Sequence, residues 1–110
     1  MGWKSRHEMS FVERKMFWAA CEAAMLHELP VAEHNYLPDG VEVVPAHDPE
    51  ACSQVLLDWF DAGLVTVSTS FPPETELEAA EARDLLADPS RWTPAHALVL
   101  TDLGDSFLPD

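Results

Sequence analysis

The chain has no isoleucine, one asparagine, two lysines and four glycines among its 110 residues. So few glycines leave no glycine-rich cradle for a phosphate, and neither a P-loop nor a dinucleotide fingerprint is present. Two cysteines, Cys21 and Cys52, do not make a disulfide framework and read as small buried hydrophobes. A single bridge between them stays open for an oxidising compartment. No apolar run approaches the roughly 18 residues of a membrane span. The apolar stretch 16–21 follows basic residues as a signal segment would, but it is short and Glu22 closes it at once. The expectation is a soluble, cytoplasmic protein without a membrane partner.

Positive charge is the scarcest property. Six Lys and Arg face 20 Asp and Glu, for a formal net charge of -14. Four of the six cations, Lys4, Arg6, Arg14 and Lys15, fall in the first fifteen residues, and none lies between Met16 and Ala82. That span holds thirteen carboxylates, Glu50, Asp58 and Asp61 among them. Acidity of this kind keeps a surface hydrated, and it also suits a basic partner. It opposes phosphate backbones and anionic membranes, so direct nucleic-acid binding is not expected.

What is present is a chain of helix and strand signals around enough apolar residues, 47%, for one core. Residues 1–9 read as a flexible polar segment and 10–110 as one domain. Ser10 and Glu13 form a capping-box pattern that predicts a helix over 11–29, stopped by Pro30. Val12, Met16, Ala19, Ala20, Ala23 and Leu26 make one apolar stripe on it, and Phe11, Trp18 and Met25 a second. A helix apolar on two sides is central to a core or half of an interface. Residues 30–47 read as irregular around the Pro38-Asp39-Gly40 turn, with a short strand at 41–44 before Pro45. Asp48, Pro49 and Glu50 open the next helix, which buries Val55, Leu56, Trp59 and Phe60 and ends at Gly63. Strands follow at 64–69 and 97–101, with a helix over 76–87 between them. Thr101 or Asp102 caps a last helical turn holding Leu103, Phe107 and Leu108. The fold class is α+β, mostly helical, with a small antiparallel sheet of strands near 41–44, 64–69 and 97–101.

Two segments carry a resemblance. Val55-Leu56-Leu57-Asp58-Trp59-Phe60-Asp61-Ala62-Gly63-Leu64-Val65 is similar to a recognition helix running into the first wing strand of winged helix-turn-helix proteins. Ala97-Leu98-Val99-Leu100-Thr101-Asp102-Leu103-Gly104 resembles their second wing strand and the turn after it. About half the chain is covered, and the motifs are structural. The resemblance implies a winged-helix-like domain, not an activity. The corresponding recognition helix shows Glu50, Asp58 and Asp61 and no Lys or Arg, where a DNA reader needs cations and amide donors.

Chemistry is harder to find. His27 and His34, with Glu28 and Glu33, could donate to a metal, but Pro30 lies between them and no ligand spacing is present. Cys52, near a helix start, is the better nucleophile candidate of the two thiols. Neither sits in a catalytic motif, so no catalytic, cofactor or metal residue is assigned. The expectation is a non-enzymatic interaction or regulatory module with a protein partner. Its candidate surface is Trp3, Phe11, Trp18, Met25, Glu50, Asp58 and Asp61. A homodimer through the first helix, an acidic inhibitor or nucleic-acid mimic binding a basic partner, and a transcription regulator by fold analogy are the alternatives.

Overall fold

The computed structural model describes residues 3–44, 46–106 and 108, and of Arg6, Glu33, Asn35 and Val44 the backbone alone. Pro45 and Phe107, expected at a strand end and in the closing turn, lie outside the described residues, as do residues 1 and 2 of the N-terminal segment.

Helix α1 (Phe11–Glu22) begins where its capping box predicts. The Ser10 hydroxyl accepts from the Glu13 amide, and the Glu13 carboxylate accepts from the Ser10 amide at 2.8 Å. It stops seven residues short of the predicted end. Ala23 takes a left-handed conformation, φ 55°, which costs a non-glycine residue about 1–2 kcal/mol. The turn lets the Ala24 carbonyl accept from the Leu98 amide at 2.9 Å and sets Met25 in an antiparallel bridge with Ala97. Tertiary pairing thus overrides a local preference for helix. A 3-10 turn, Leu26–Glu28, then buries Leu26 and Leu29.

Strands β1 (Glu33–Leu37) and β2 (Gly40–Val44) form an antiparallel ribbon around Pro38-Asp39, in the stretch expected to be largely irregular. The amide of His47 donates to the Pro30 carbonyl at 2.9 Å and closes the base of the ribbon. Helix α2 (Pro49–Asp61) starts at Asp48, whose side chain accepts from the Glu50 amide, with Pro49 in the first turn. Gly63, φ 81°, then turns the chain left-handedly into β3 (Val65–Thr69). Strand β4 (His96–Leu100) pairs with β3 in register, Val65 opposite Leu100 and Thr69 opposite His96.

Helix α3 (Ala79–Leu86) begins three residues later than predicted because the preceding residues run along the edge of β3. Leu77 N–H donates to the Val67 carbonyl, and Thr69 N–H to the Thr75 carbonyl, both at 2.9 Å. Thr101 caps the short closing helix α4 (Asp102–Ser106): its hydroxyl accepts from the Gly104 amide and donates to the Gly63 carbonyl. Among the described residues, four α-helices and two two-stranded antiparallel sheets make a single-domain α+β fold. Strands near 64–69 and 97–101 pair as expected, whereas 41–44 belongs to the separate ribbon and not to their sheet.

One hydrophobic core joins α1, α2, α3 and the β3–β4 sheet through Met16, Leu56, Val67, Leu86 and Leu98. Each is fully buried, which stabilises by roughly 1.5–3 kcal/mol per side chain. Two polar side chains at its edge are satisfied by backbone carbonyls. The Ser53 hydroxyl donates to the Leu86 carbonyl at 2.7 Å, and the Trp92 indole to the Leu85 carbonyl at 2.8 Å. The ribbon stands apart and packs little against the helices.

Candidate functional site

The first apolar stripe is buried in part: Met16, Ala19 and Ala20 of α1 enter the core, as does Leu26 beyond the helix, while Val12 is half-buried and Ala23, at the left-handed turn, is exposed. The second does not follow it inward. Phe11 is 60% and Trp18 51% exposed, two helical turns apart on the outer face. They line a groove of about 410 Å³ with Arg14, Lys15, Glu22, Glu28 and Glu42. The helix supplies one wall. The far wall comes from the ribbon, through Glu42 of β2.

Lys15 forms part of this groove and is the least expected residue in it. Its side chain is buried, and its ammonium donates to the Val31 carbonyl at 2.5 Å. A cation so placed ties α1 to the chain leading into β1. It also acts on its neighbours. Burial, and next the charge of Lys15, push the His47 imidazole below its ordinary value of 6.5. The His47 ring stacks at a tilt on Phe11, centroids 5.5 Å apart, and its buried Nε2 has no hydrogen-bond partner.

The ribbon carries a second apolar surface. By register Tyr36 lies opposite Val41 and His34 opposite Val43, so these four share one face, and Glu42 falls on the other. Tyr36 is 83%, Val43 54% and Val41 53% exposed. The polarity is inverted: the ribbon turns Glu42 toward the groove against α1, and Tyr36, Val41 and Val43 toward solvent. A two-stranded ribbon is marginal alone in water, and burial of its apolar face would normally hold it.

The remaining candidate residues are dispersed. Trp3, expected as an exposed anchor in a flexible segment, is drawn into the body. Its indole donates to the Gly104 carbonyl at 2.8 Å, and its ring meets Phe17 and Trp59 edge-on. Met25 is half-buried beside β4, away from Phe11 and Trp18. Glu50 and Asp58 are exposed on α2. Asp61 is held by Arg83 through two 3.0 Å hydrogen bonds, and that side-chain bond lowers its carboxyl below the ordinary range. The thiols are not bridged. Cys52 is fully buried, and burial raises its thiol above the ordinary range, the wrong direction for a nucleophile. Among the described residues no three His, Cys, Asp or Glu side chains gather as metal ligands. Nor is any described helix long and apolar enough to cross a membrane.

No family model, curated protein or solved structure matches the chain.

Proposed function

We propose that this chain is a non-enzymatic protein-interaction module that docks a basic partner on the α1–ribbon side. The observation that carries the reading is the set of large apolar side chains left more than half exposed there. These are Phe11 and Trp18 on α1 and Tyr36, Val41 and Val43 on the ribbon. Exposed aromatic anchors beside a concave surface are the usual centre of a protein interface. The groove's own cations, Arg14 and Lys15, are outnumbered there by Glu22, Glu28 and Glu42, and the chain from Met16 to Ala82 carries no Lys or Arg, so electrostatics favours a cationic partner.

A winged-helix-like architecture is part of the proposal. Its support is the strand order Met25–β4–β3 beside helices α1 and α2, with Gly63 turning α2 into β3. A regulator that reads DNA is the weaker reading, because α2 presents Glu50 and Asp58 and no cation. An acidic inhibitor that fills a basic cleft is favoured by the net charge of -14 and predicts the same partner chemistry.

The test is affinity capture from native lysate with the wild-type chain and with a Phe11→Ser, Trp18→Ser double variant. The expected result is capture of basic proteins by the wild type. Capture should fall at least tenfold in the variant and weaken steeply as salt rises. Equal capture by both chains, or capture of proteins with no basic character, would overturn the reading.

A further inference from the structure

We infer that the outer face of the β3–β4 sheet is a second docking surface, which takes a short segment of a protein partner carrying aliphatic side chains next to Lys or Arg. The inference goes beyond the α1–ribbon reading and stands apart from it.

Side chains alternate along a strand. Val65, Val67 and Leu98 enter the core, so by register Thr66, Ser68, Ala97 and Val99 fall on the opposite face. Two isolated bridges widen that face. Met25 pairs with Ala97 and Glu76 with Ser68, and residues directly opposite one another share a face. One row therefore crosses the sheet in the order Met25, Ala97, Ser68, Glu76. Two hollows, of about 410 and 110 Å³, lie along this face and share Val99. Met25 and Ala97 line the smaller and Leu103 the larger, and a methionine thioether adapts to aliphatic groups of varied shape. The rim is acidic: Glu76 and Asp102 border the larger hollow and Glu74 the smaller, and no Lys, Arg or His lines either. Among the described residues none of these three carboxylates has a hydrogen-bond or ion-pair partner. The α1 groove differs, because Arg14 and Lys15 stand beside its acids. An apolar floor rimmed by unmatched carboxylates is complementary to an aliphatic side chain with a cation beside it.

A second copy of this chain is the poorer occupant. It would bring a body of net charge -14 to an acidic rim. Its own cations are largely committed: Lys4 to Glu13, Lys15 to the Val31 carbonyl and Arg83 to Asp61. Phosphate backbones and anionic lipids meet the same repulsion.

The experiment titrates the isotope-labelled full chain, followed by amide NMR, with the peptide Gly-Leu-Lys-Leu-Lys-Gly and with a version carrying serine for both leucines. Amide shifts should move at Thr66, Ser68, Glu76 and Val99, and the leucine peptide should bind about fivefold tighter or more. Glu74→Gln with Glu76→Gln, both exposed, should lower its affinity about fivefold. Glu50→Gln with Asp58→Asn makes the same change of net charge on α2 and should leave the affinity within about twofold. Equal affinity for the two peptides, or an unchanged affinity in the Glu74, Glu76 variant, would overturn the inference in favour of plain charge attraction. Shifts confined to Phe11, Trp18 and Glu22 would overturn it in favour of the α1 groove. The same sheet shifts in the chain alone, growing with its concentration, would overturn it in favour of a second copy. The Phe11→Ser, Trp18→Ser variant keeps this face whole and should bind the peptide as the wild type does, so either surface can fail while the other stands.

Discussion

Gly104 shows how narrowly a single position can be set. A Cβ placed there would stand 2.0 Å from the Leu64 carbonyl oxygen, and that oxygen accepts from the Thr101 amide at 3.1 Å. The backbone of Gly104 also accepts from the Trp3 indole and donates to the Thr101 hydroxyl. Gly104→Ala should therefore cost about 3 kcal/mol, the upper range for forcing an extra carbon into packed structure. Urea denaturation checks it, and a change below about 1 kcal/mol would show that α4 can shift away. Trp3 was misread from the sequence for a related reason. Its hydrogen-bond acceptor lies 101 residues further along the chain, and no local pattern reports that. Phe11 and Trp18 were legible because a helix places residues seven apart on one face, whatever the rest of the chain does.

Among the elements, boundaries set by nearby groups were more legible than those set by distant strands. Ser10, Asp48, Gly63 and Thr101 act through groups a few residues away or at the nearest helix terminus, so their sequence signals correspond to observed caps and turns. Helix α1 ends at Glu22, and α3 waits until Ala79, because distant strands capture the backbone on either side. The ribbon was half legible. Val41 and Val43 suggested a strand, but Glu33 and Asn35 are poor strand formers and hid its mate. With the mate hidden, so was the outward face of Tyr36, Val41 and Val43.

The ribbon's base carries an expected pH response. The His47 imidazole is pushed below 6.5 in the folded chain by burial and by Lys15, while the unfolded chain keeps the ordinary value. Between the lowered value and 6.5 the unfolded chain binds more protons, so stability rises with pH across that window. The contribution is complete above the ordinary histidine range and is lost as pH falls through it. Thermal melts from about pH 7 to about pH 5 should show a falling Tm, and His47→Gln should flatten that segment. An unchanged slope in the variant would assign the response to other groups.

At the scale of the whole molecule, a net charge of -14 sits in a body of 44 × 29 × 26 Å. At about 10 mM salt the Debye length, roughly 30 Å, is comparable to the molecule, so most of its carboxylates repel one another unscreened. Arg83 with Asp61 and Lys4 with Glu13 relieve this only at the surface. Raising sodium chloride to about 1 M, where screening acts within roughly 3 Å, should raise the Tm by about 5 °C. A Tm that falls or stays level would mean that ion pairs outweigh the repulsion. Composition made this property fully legible, because self-repulsion depends on how many charges there are before it depends on where they sit.

The left-handed turn at Ala23 has a consequence for the order of events in folding. Residues 11–29 carry a helical pattern that local forces alone would extend beyond Glu22, and only the meeting of Ala24 and Met25 with β4 cuts it short. Before β4 arrives, the nascent helix should be longer than the finished one. The last residues of α1 are then unwound as the sheet docks, a step that a circular-dichroism excess in an excised 11–29 peptide would reveal.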